Sequence, residues 1–236
     1  MSRVELPMMF NLHHPLNLEV IGAEAQHDNM QSAAYRVIWG FLRKCPASKV
    51  RFCIFDPKEG GGSVRMLSNF VNKMPDSYKR AVTQMSRTEE LLSCLKELEG
   101  QTLDFIRDRP DYDDLLDYNA HNPRRTEAIT LLMLYDFPLN ADARCLELLS
   151  SVMQKGNRCG IYVVLCRNTA VEVASSYDHI DEKLAELEKN CVQIECKENG
   201  FALLPYHLSV RLIEKPDAGQ LLSLIHISEP TRLGMI

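Results

Sequence analysis

Three apolar runs in this 236-residue chain are long enough to cross a core once and too short to make a helix of ordinary length. They cover residues 50–55, 129–135 and 160–166, and each stops at polar or turn-forming residues: Asp56-Pro57-Lys58, Asp136-Phe137-Pro138 and Arg167-Asn168. Short, nearly continuous apolar runs bounded in this way fit strands covered on both faces, as in a parallel sheet. Residues 18–22 form a fourth, shorter run ending at Gly22.

The segments between these runs have helical spacing. Ala33, Ala34, Val37, Ile38, Phe41 and Leu42 mark one face of a helix over residues 29–44. Strand, helix, strand at this spacing is a βαβ unit, whose crossover is right-handed and whose strands are parallel. A long helix is expected over residues 88–109, capped by Thr88, with Leu91, Leu92, Leu95, Leu98, Leu103 and Ile106 as its stripe. Gly100 interrupts it at a cost of about 1 kcal/mol relative to alanine, and Pro110 ends it. Further helices are expected over residues 64–71, 111–119, 141–155 and 181–189, the first after a flexible Glu59-Gly60-Gly61-Gly62 turn. Residues 191–196 alternate like an edge strand, and Phe201-Ala202-Leu203-Leu204 returns as a hairpin partner after Glu198-Asn199-Gly200. The expected fold class is therefore α/β, a mainly parallel central sheet flanked by helices, with a C-terminal β-hairpin.

Composition excludes several function classes. A formal charge of -5 argues against gripping nucleic acid over a broad surface. No apolar run approaches the roughly 20 residues of a bilayer span, and Met1-Ser2-Arg3-Val4-Glu5-Leu6 is not the start of a secretory leader. The eight cysteines form no C-x-x-C pair, which points to reduced, partly buried thiols in a cytoplasmic protein and to no metal site. His13-His14, the carboxylates Asp111, Asp113, Asp114 and Asp117, and Arg124-Arg125 read as solvated surface.

Taken in order, these pieces resemble the motor domain of the FtsK/SpoIIIE family of DNA translocases, over residues 18–204. A strand ends in Asp56-Pro57-Lys58, a long helix leads to Tyr118-Asn119, an apolar strand ends in the acid Asp136, and a helix leads to the strand Gly160-Ile161-Tyr162-Val163-Val164-Leu165. The resemblance implies a RecA-like P-loop NTPase fold. It makes Asp136 the counterpart of the metal-organising acid, and Asp56, Lys58, Arg167 and Asn168 candidates for loop or subunit contacts.

The departures from that pattern bear on chemistry. A phosphate-binding loop uses glycine N–H groups, a lysine for the β- and γ-phosphates and a hydroxyl for magnesium. The corresponding stretch runs from Gly22 through Ala23-Glu24-Ala25-Gln26-His27-Asp28-Asn29. His27 stands for a loop glycine, Asp28 for the lysine and Asn29 for the hydroxyl residue, and Glu24 adds a second carboxylate. No G-x-x-x-x-G-K-[ST] occurs in the chain. Phe137 follows Asp136 where a water-orienting glutamate belongs, and Arg167-Asn168 replaces a Thr-Gln sensor pair.

The expectation is a pseudo-ATPase domain without a cofactor of its own, scaffolding or regulating an active motor domain of the same polypeptide that binds Mg-ATP. The complete protein is expected to be a cytoplasmic ring or homo-oligomer. DNA contact or membrane association would come only from its other parts. Two alternatives remain at this stage: an active nucleotide-dependent translocase, or a stand-alone α/β interaction module. The sequence divides into a lead-in (residues 1–17), the domain (18–204), a linker toward a further domain (205–221) and a tail (222–236). Within the tail, residues 222–232 resemble translated sequencing-adapter read-through.

Overall fold

The computed structural model describes residues 17–58, 76–171, 180–198 and 200–210. The expected helix at 64–71, the His13-His14 pair and the adapter-like tail lie outside them. Eight strands form one sheet in the order β3-β2-β4-β5-β1-β6-β7-β8. They are β1 (Asn17–Gly22), β2 (Val50–Phe55), β3 (Val82–Met85), β4 (Ile129–Phe137), β5 (Ile161–Asn168), β6 (Cys191–Lys197), β7 (Gly200–Leu203) and β8 (Leu208–Val210). Every pairing from β3 across to β6 is parallel, and β6-β7-β8 continue antiparallel.

The near-continuous apolar character of the central strands is explained by burial on both faces. One face carries Leu18, Val20, Phe52, Ile54, Leu131, Met133 and Val164, packed against α1 (His27–Lys44) through Met30, Ala33, Ala34, Val37, Ile38 and Leu42. The other carries Leu132, Leu134, Val163 and Leu165 under α3 (Thr88–Asp108), α5 (Ala143–Lys155) and α6 (Ile180–Glu188). Two short helices, α2 (Asp76–Lys79) and α4 (Leu115–His121), complete the described set. None of the helices among the described residues is long and apolar enough to cross a membrane.

The fold corrects several sequence expectations. Strand β3 is absent from the apolar pattern because Thr83 and Gln84 are exposed on a short edge strand. Strand β6 is internal, between β1 and β7. Its alternation reports uneven cover of its two faces: Ile194 and Cys196 are buried against the α1 side, while Gln193 and Glu195 are only partly buried. The sheet also runs on to Val210 through the pairing of β8 with β7.

Helix α3 begins at Thr88 with Arg87 as its N-cap residue, and Glu90 Oε2 reaches back to accept from Ser86 N at 3.0 Å and Arg87 N at 3.2 Å. The Thr88 hydroxyl instead donates to Asn140 O at 2.9 Å. The buried stripe of α3 is Leu91, Leu95, Leu98, Thr102 and Phe105, alternating steps of four and three; Leu103 falls one residue out of phase and is exposed. The acidic helix starts only at Leu115, with the Asp114 carboxylate capping Asp117 N. Gly160 has φ +72° between the 3-10 turn Gly156–Cys159 and β5, and a Cβ there would lie 2.3 Å from Leu115 Cδ2, so only glycine fits.

Candidate functional site

Four loops converge at the carboxyl ends of β2, β4, β5 and β1, adjacent strands in that order. In open α/β sheets this is where ligands gather. The loop after β1 is short. Ala23 leads into a 3-10 turn, Glu24–Gln26, and α1 begins at His27. The turn is closed on itself: Gln26 N donates to Ala23 O at 2.9 Å, and Gln26 Oε1 accepts from Ala23 N at 3.1 Å. Gly22 is buried, and a Cβ on it would lie 3.0 Å from both Cγ and Sδ of Met30. This glycine admits the close approach of α1.

Asp56-Pro57-Lys58 divides into three tasks. Asp56 is buried; its N–H donates to Met85 O at 2.9 Å and its Oδ1 accepts from Lys58 N at 3.1 Å, folding the chain into an Asx turn. Pro57 restricts φ between them. The turn delivers the Lys58 ammonium to the tips of β1 and β4, 3.1 Å from Asp136 Oδ1 and 3.4 Å from Glu24 Oε2.

Asp136 and Asn168 lie within their strands, not beyond them, because β4 extends to Phe137 and β5 to Asn168. The β4-β5 register shifts between Leu134 and Phe137, and Asp136 takes φ +48° there. Such a bulge re-aims a side chain, and aspartate tolerates the left-handed region better than most residues. Asn168 Nδ2 reaches Asp136 Oδ1 at 2.9 Å and Glu24 Oε2 at 2.8 Å. Lys58 and Asn168 thus bridge the same two carboxylates. The Asp136 side chain is fully buried, and its Oδ2 has no hydrogen-bond partner among the described residues. Burial works against the Lys58 ammonium, but the Asp136 and Glu24 carboxylates together outweigh it and hold its pKa above the usual lysine value. Hydrogen bonding from Asn168, followed by the Lys58 charge, lowers that of Glu24.

The remaining sequence candidates stand apart from this cluster. Asp28 is exposed in the first turn of α1, where a carboxylate complements the helix dipole. Asn29 Nδ2 donates to Lys197 O at 3.0 Å, tying α1 to the end of β6. His27 Nε2 lies 2.6 Å from Gln31 Nε2. Arg167 points to the opposite side of the sheet from Asn168. It pairs with Glu19 Oε1 at 3.4 Å and with Glu188 of α6. Glu19 is buried in mid-strand, and Gln193 Nε2 donates to it at 2.8 Å. Desolvation raises the Glu19 pKa against the opposing pull of Gln193 and Arg167.

Tyr118-Asn119 also has a structural account. The Tyr118 ring lies beneath the Arg109 guanidinium at 4.1 Å, and Asn119 clamps Glu127 by accepting from its N–H at 2.8 Å and donating to its carbonyl at 3.0 Å. The residue that sequence reasoning left off the site is Glu24. It was counted only as an added negative charge, and nothing local indicates that it shares partners with Asp136.

The residues present do not fit a magnesium nucleotide. Phosphate capture at a helix N-terminus needs free N–H groups and a nearby cation. Here the turn is internally bonded, Glu24 and Asp28 place carboxylates at the helix entry, and Lys58, a cation at the strand tips, is held between two carboxylates. Phe137 is buried and offers no base.

No family model matches the sequence, and no curated protein matches it. Solved structures do. EssC (ATPases 2 and 3) from Geobacillus thermodenitrificans aligns with a TM-score of 0.60 over 92% of this chain and 45% of that one, at 11% identity. The fold is RecA-like. The pCW3 conjugation coupling protein TcpA, solved with ATPgS, aligns with a TM-score of 0.56 over 79% of this chain and 50% of its own, at 11% identity. The cytoplasmic domain of the Thermomonospora curvata type VII secretion ATPase EccC aligns with a TM-score of 0.53 over 76% of this chain and 20% of its own, at 16% identity. This RecA-like chain thus spans no more than half the length of these FtsK/SpoIIIE-like ATPases.

Proposed function

We propose that this chain is a non-hydrolysing RecA-like domain of a larger FtsK/SpoIIIE-type motor, retained to scaffold or regulate an active domain of the same polypeptide. The observation that carries this reading is the bridge from Lys58 to Asp136 and Glu24, joined by Asn168. An ammonium of the chain itself stands between the carboxylates at the strand tips, and Lys58 and Asn168 bridge the segment after β1 to the end of β4. The core has kept its form while the chemistry is lost, so the domain acts through its surfaces. That one EssC structure holds two ATPase domains in a single chain supports an active neighbour. In this reading the full protein continues past Leu221 into a domain with an intact G-x-x-x-x-G-K-[ST] loop. That domain supplies Mg-ATP binding, and the parent assembles as a ring.

Isothermal calorimetry with Mg-ATP tests the local claim. The expected result is no binding tighter than about millimolar, which corresponds to roughly -4 kcal/mol. Micromolar affinity overturns it. The downstream gene sequence tests the wider claim, which fails if no phosphate-binding loop follows.

A further inference from the structure

The opposite end of the sheet carries a second concavity that plays no part in the reading above. It has a volume of about 450 Å³ and lies where β2 and β4 begin, beside the turn that leads into β3. Ala47, Ala81 and Ala128 contribute small side chains to its lining, while Arg51 and Arg80 line it as exposed cations. Arg124 and Arg125, also exposed, immediately precede its wall residue Thr126. Among the described residues these four guanidinium groups make no hydrogen bond or ion pair, and the Arg80 charge acts only at a distance on the exposed Asp76 carboxylate. Lys49 adds a fifth cation, fixed to Thr126 by hydrogen bonds to its hydroxyl and its carbonyl.

One wall is held by hydrogen bonds, and its own negative charge is already matched. Glu127 is the carboxylate residue that lines it, and Arg109 pairs with that carboxylate. Its backbone is clamped by Asn119 on both N–H and carbonyl. A rim carrying arginines without an ion-pair partner among the described residues is suited to oxyanions, because each guanidinium can offer two parallel donors to a carboxylate or phosphate.

We infer that this concavity binds an acidic polypeptide segment of a partner protein, with glutamate or aspartate side chains paired to Arg51 and Arg80. Two observations favour a short acidic peptide over nucleic acid. These cations form a local group on a chain whose net charge is -5, whereas nucleic-acid surfaces present a broad basic face. The lining also includes the small residues Ala47, Ser48, Ala81 and Ala128, which leave room for a main chain between the arginines. Local charge of this kind steers and orients a partner of opposite sign.

The test is fluorescence anisotropy of a labelled oligoglutamate peptide with the full chain. The expected result is saturable binding that weakens as salt is raised from about 50 to about 200 mM, since exposed pairs are screened over that range. Arg51→Glu/Arg80→Glu should weaken it at least about tenfold, and Arg124→Glu/Arg125→Glu about threefold, as expected for direct and flanking charges. Arg51→Gln/Arg80→Gln serves if the charge reversal disturbs folding, with circular dichroism as the check. The inference is overturned if the intact chain shows no saturable binding, or if a folded Arg51/Arg80 variant binds equally well. It is also overturned if tripolyphosphate or duplex DNA of equal charge competes better than unlabelled peptide. None of these outcomes depends on whether the strand-tip site binds nucleotide.

Discussion

Two carboxylate–cation clusters in this domain share chemistry and differ in construction. At the strand tips, Lys58 comes from a loop and joins a fully buried Asp136 to Glu24, whose side chain is 64% exposed. On the face covered by α5 and α6, Glu19 is buried in the middle of β1. Its partners Arg167 and Gln193 come from the strands on either side, and Glu188 of α6 backs Arg167. The first cluster depends on how loops are folded and lies where α/β sheets gather ligands. The second is held by the sheet itself. A motif-bearing loop and a structural ion pair can therefore look alike in sequence, and what separates them is which face of the sheet they occupy.

The largest test of this contrast is Arg167→Met. It leaves the Glu19 carboxylate buried with Gln193 alone, and breaking such a pair should cost about 3 kcal/mol in urea unfolding. Adding Glu19→Gln should recover most of the loss, because the uncompensated charge is then gone. A loss no larger than that of a surface pair would show that Arg167 serves contacts outside the domain.

Lys58→Met comes next, at about 1–2 kcal/mol, since Asp136 keeps Asn168 and the Lys58 side chain is itself partly exposed. The same variant should still fail to bind Mg-ATP, because Glu24, Asp28 and the closed turn remain. Recovery of nucleotide binding would mean that Lys58 alone blocks the site.

The smallest expected effect separates the clusters by the sign of their pH response. The folded pKa of Glu19 is raised, so its contribution is present below about pH 4.5 and is lost as pH rises through the folded value. Glu24 has a lowered folded pKa, so its contribution is present above about pH 4.5 and is lost as pH falls through the folded value. Glu24→Gln should therefore destabilise at neutral pH by about 0.5 kcal/mol, discounted for exposure, and by nothing in acid. Glu19→Gln should gain stability relative to the native chain as pH rises from acid to neutral. Unfolding midpoints across that range would show opposite trends, and parallel trends would remove the distinction.

Much of the candidate site could be read in the sequence as separate pieces. Asp56, Lys58, Asp136 and Asn168, which follow apolar runs, were marked by the resemblance to a motor family, and the structure brings Lys58, Asp136 and Asn168 into direct contact. Arg167 was marked by the same reasoning and faces the other way, because β5 continues through Asn168 and successive side chains alternate across a strand. The run of apolar residues stops at Cys166, but the hydrogen-bond ladder does not: Arg167 still pairs with Ile21 and Phe137, and Asn168 with Gly22. Strand β3 was illegible for a related reason, since an edge strand needs little apolar surface.

The sequence by itself determined the strands β1, β2, β4 and β5, the helices between them, and the absence of a G-x-x-x-x-G-K-[ST] motif. Those properties follow from local burial periodicity and from the identity of single residues. Which charges meet was decided only by tertiary structure. Residues 24, 58, 136 and 168 become neighbours because the sheet places β2, β4, β5 and β1 side by side, and the bulge at Asp136 sets the direction of its carboxylate. The pairing energy of ions depends on their separation and burial, and neither can be read along the chain.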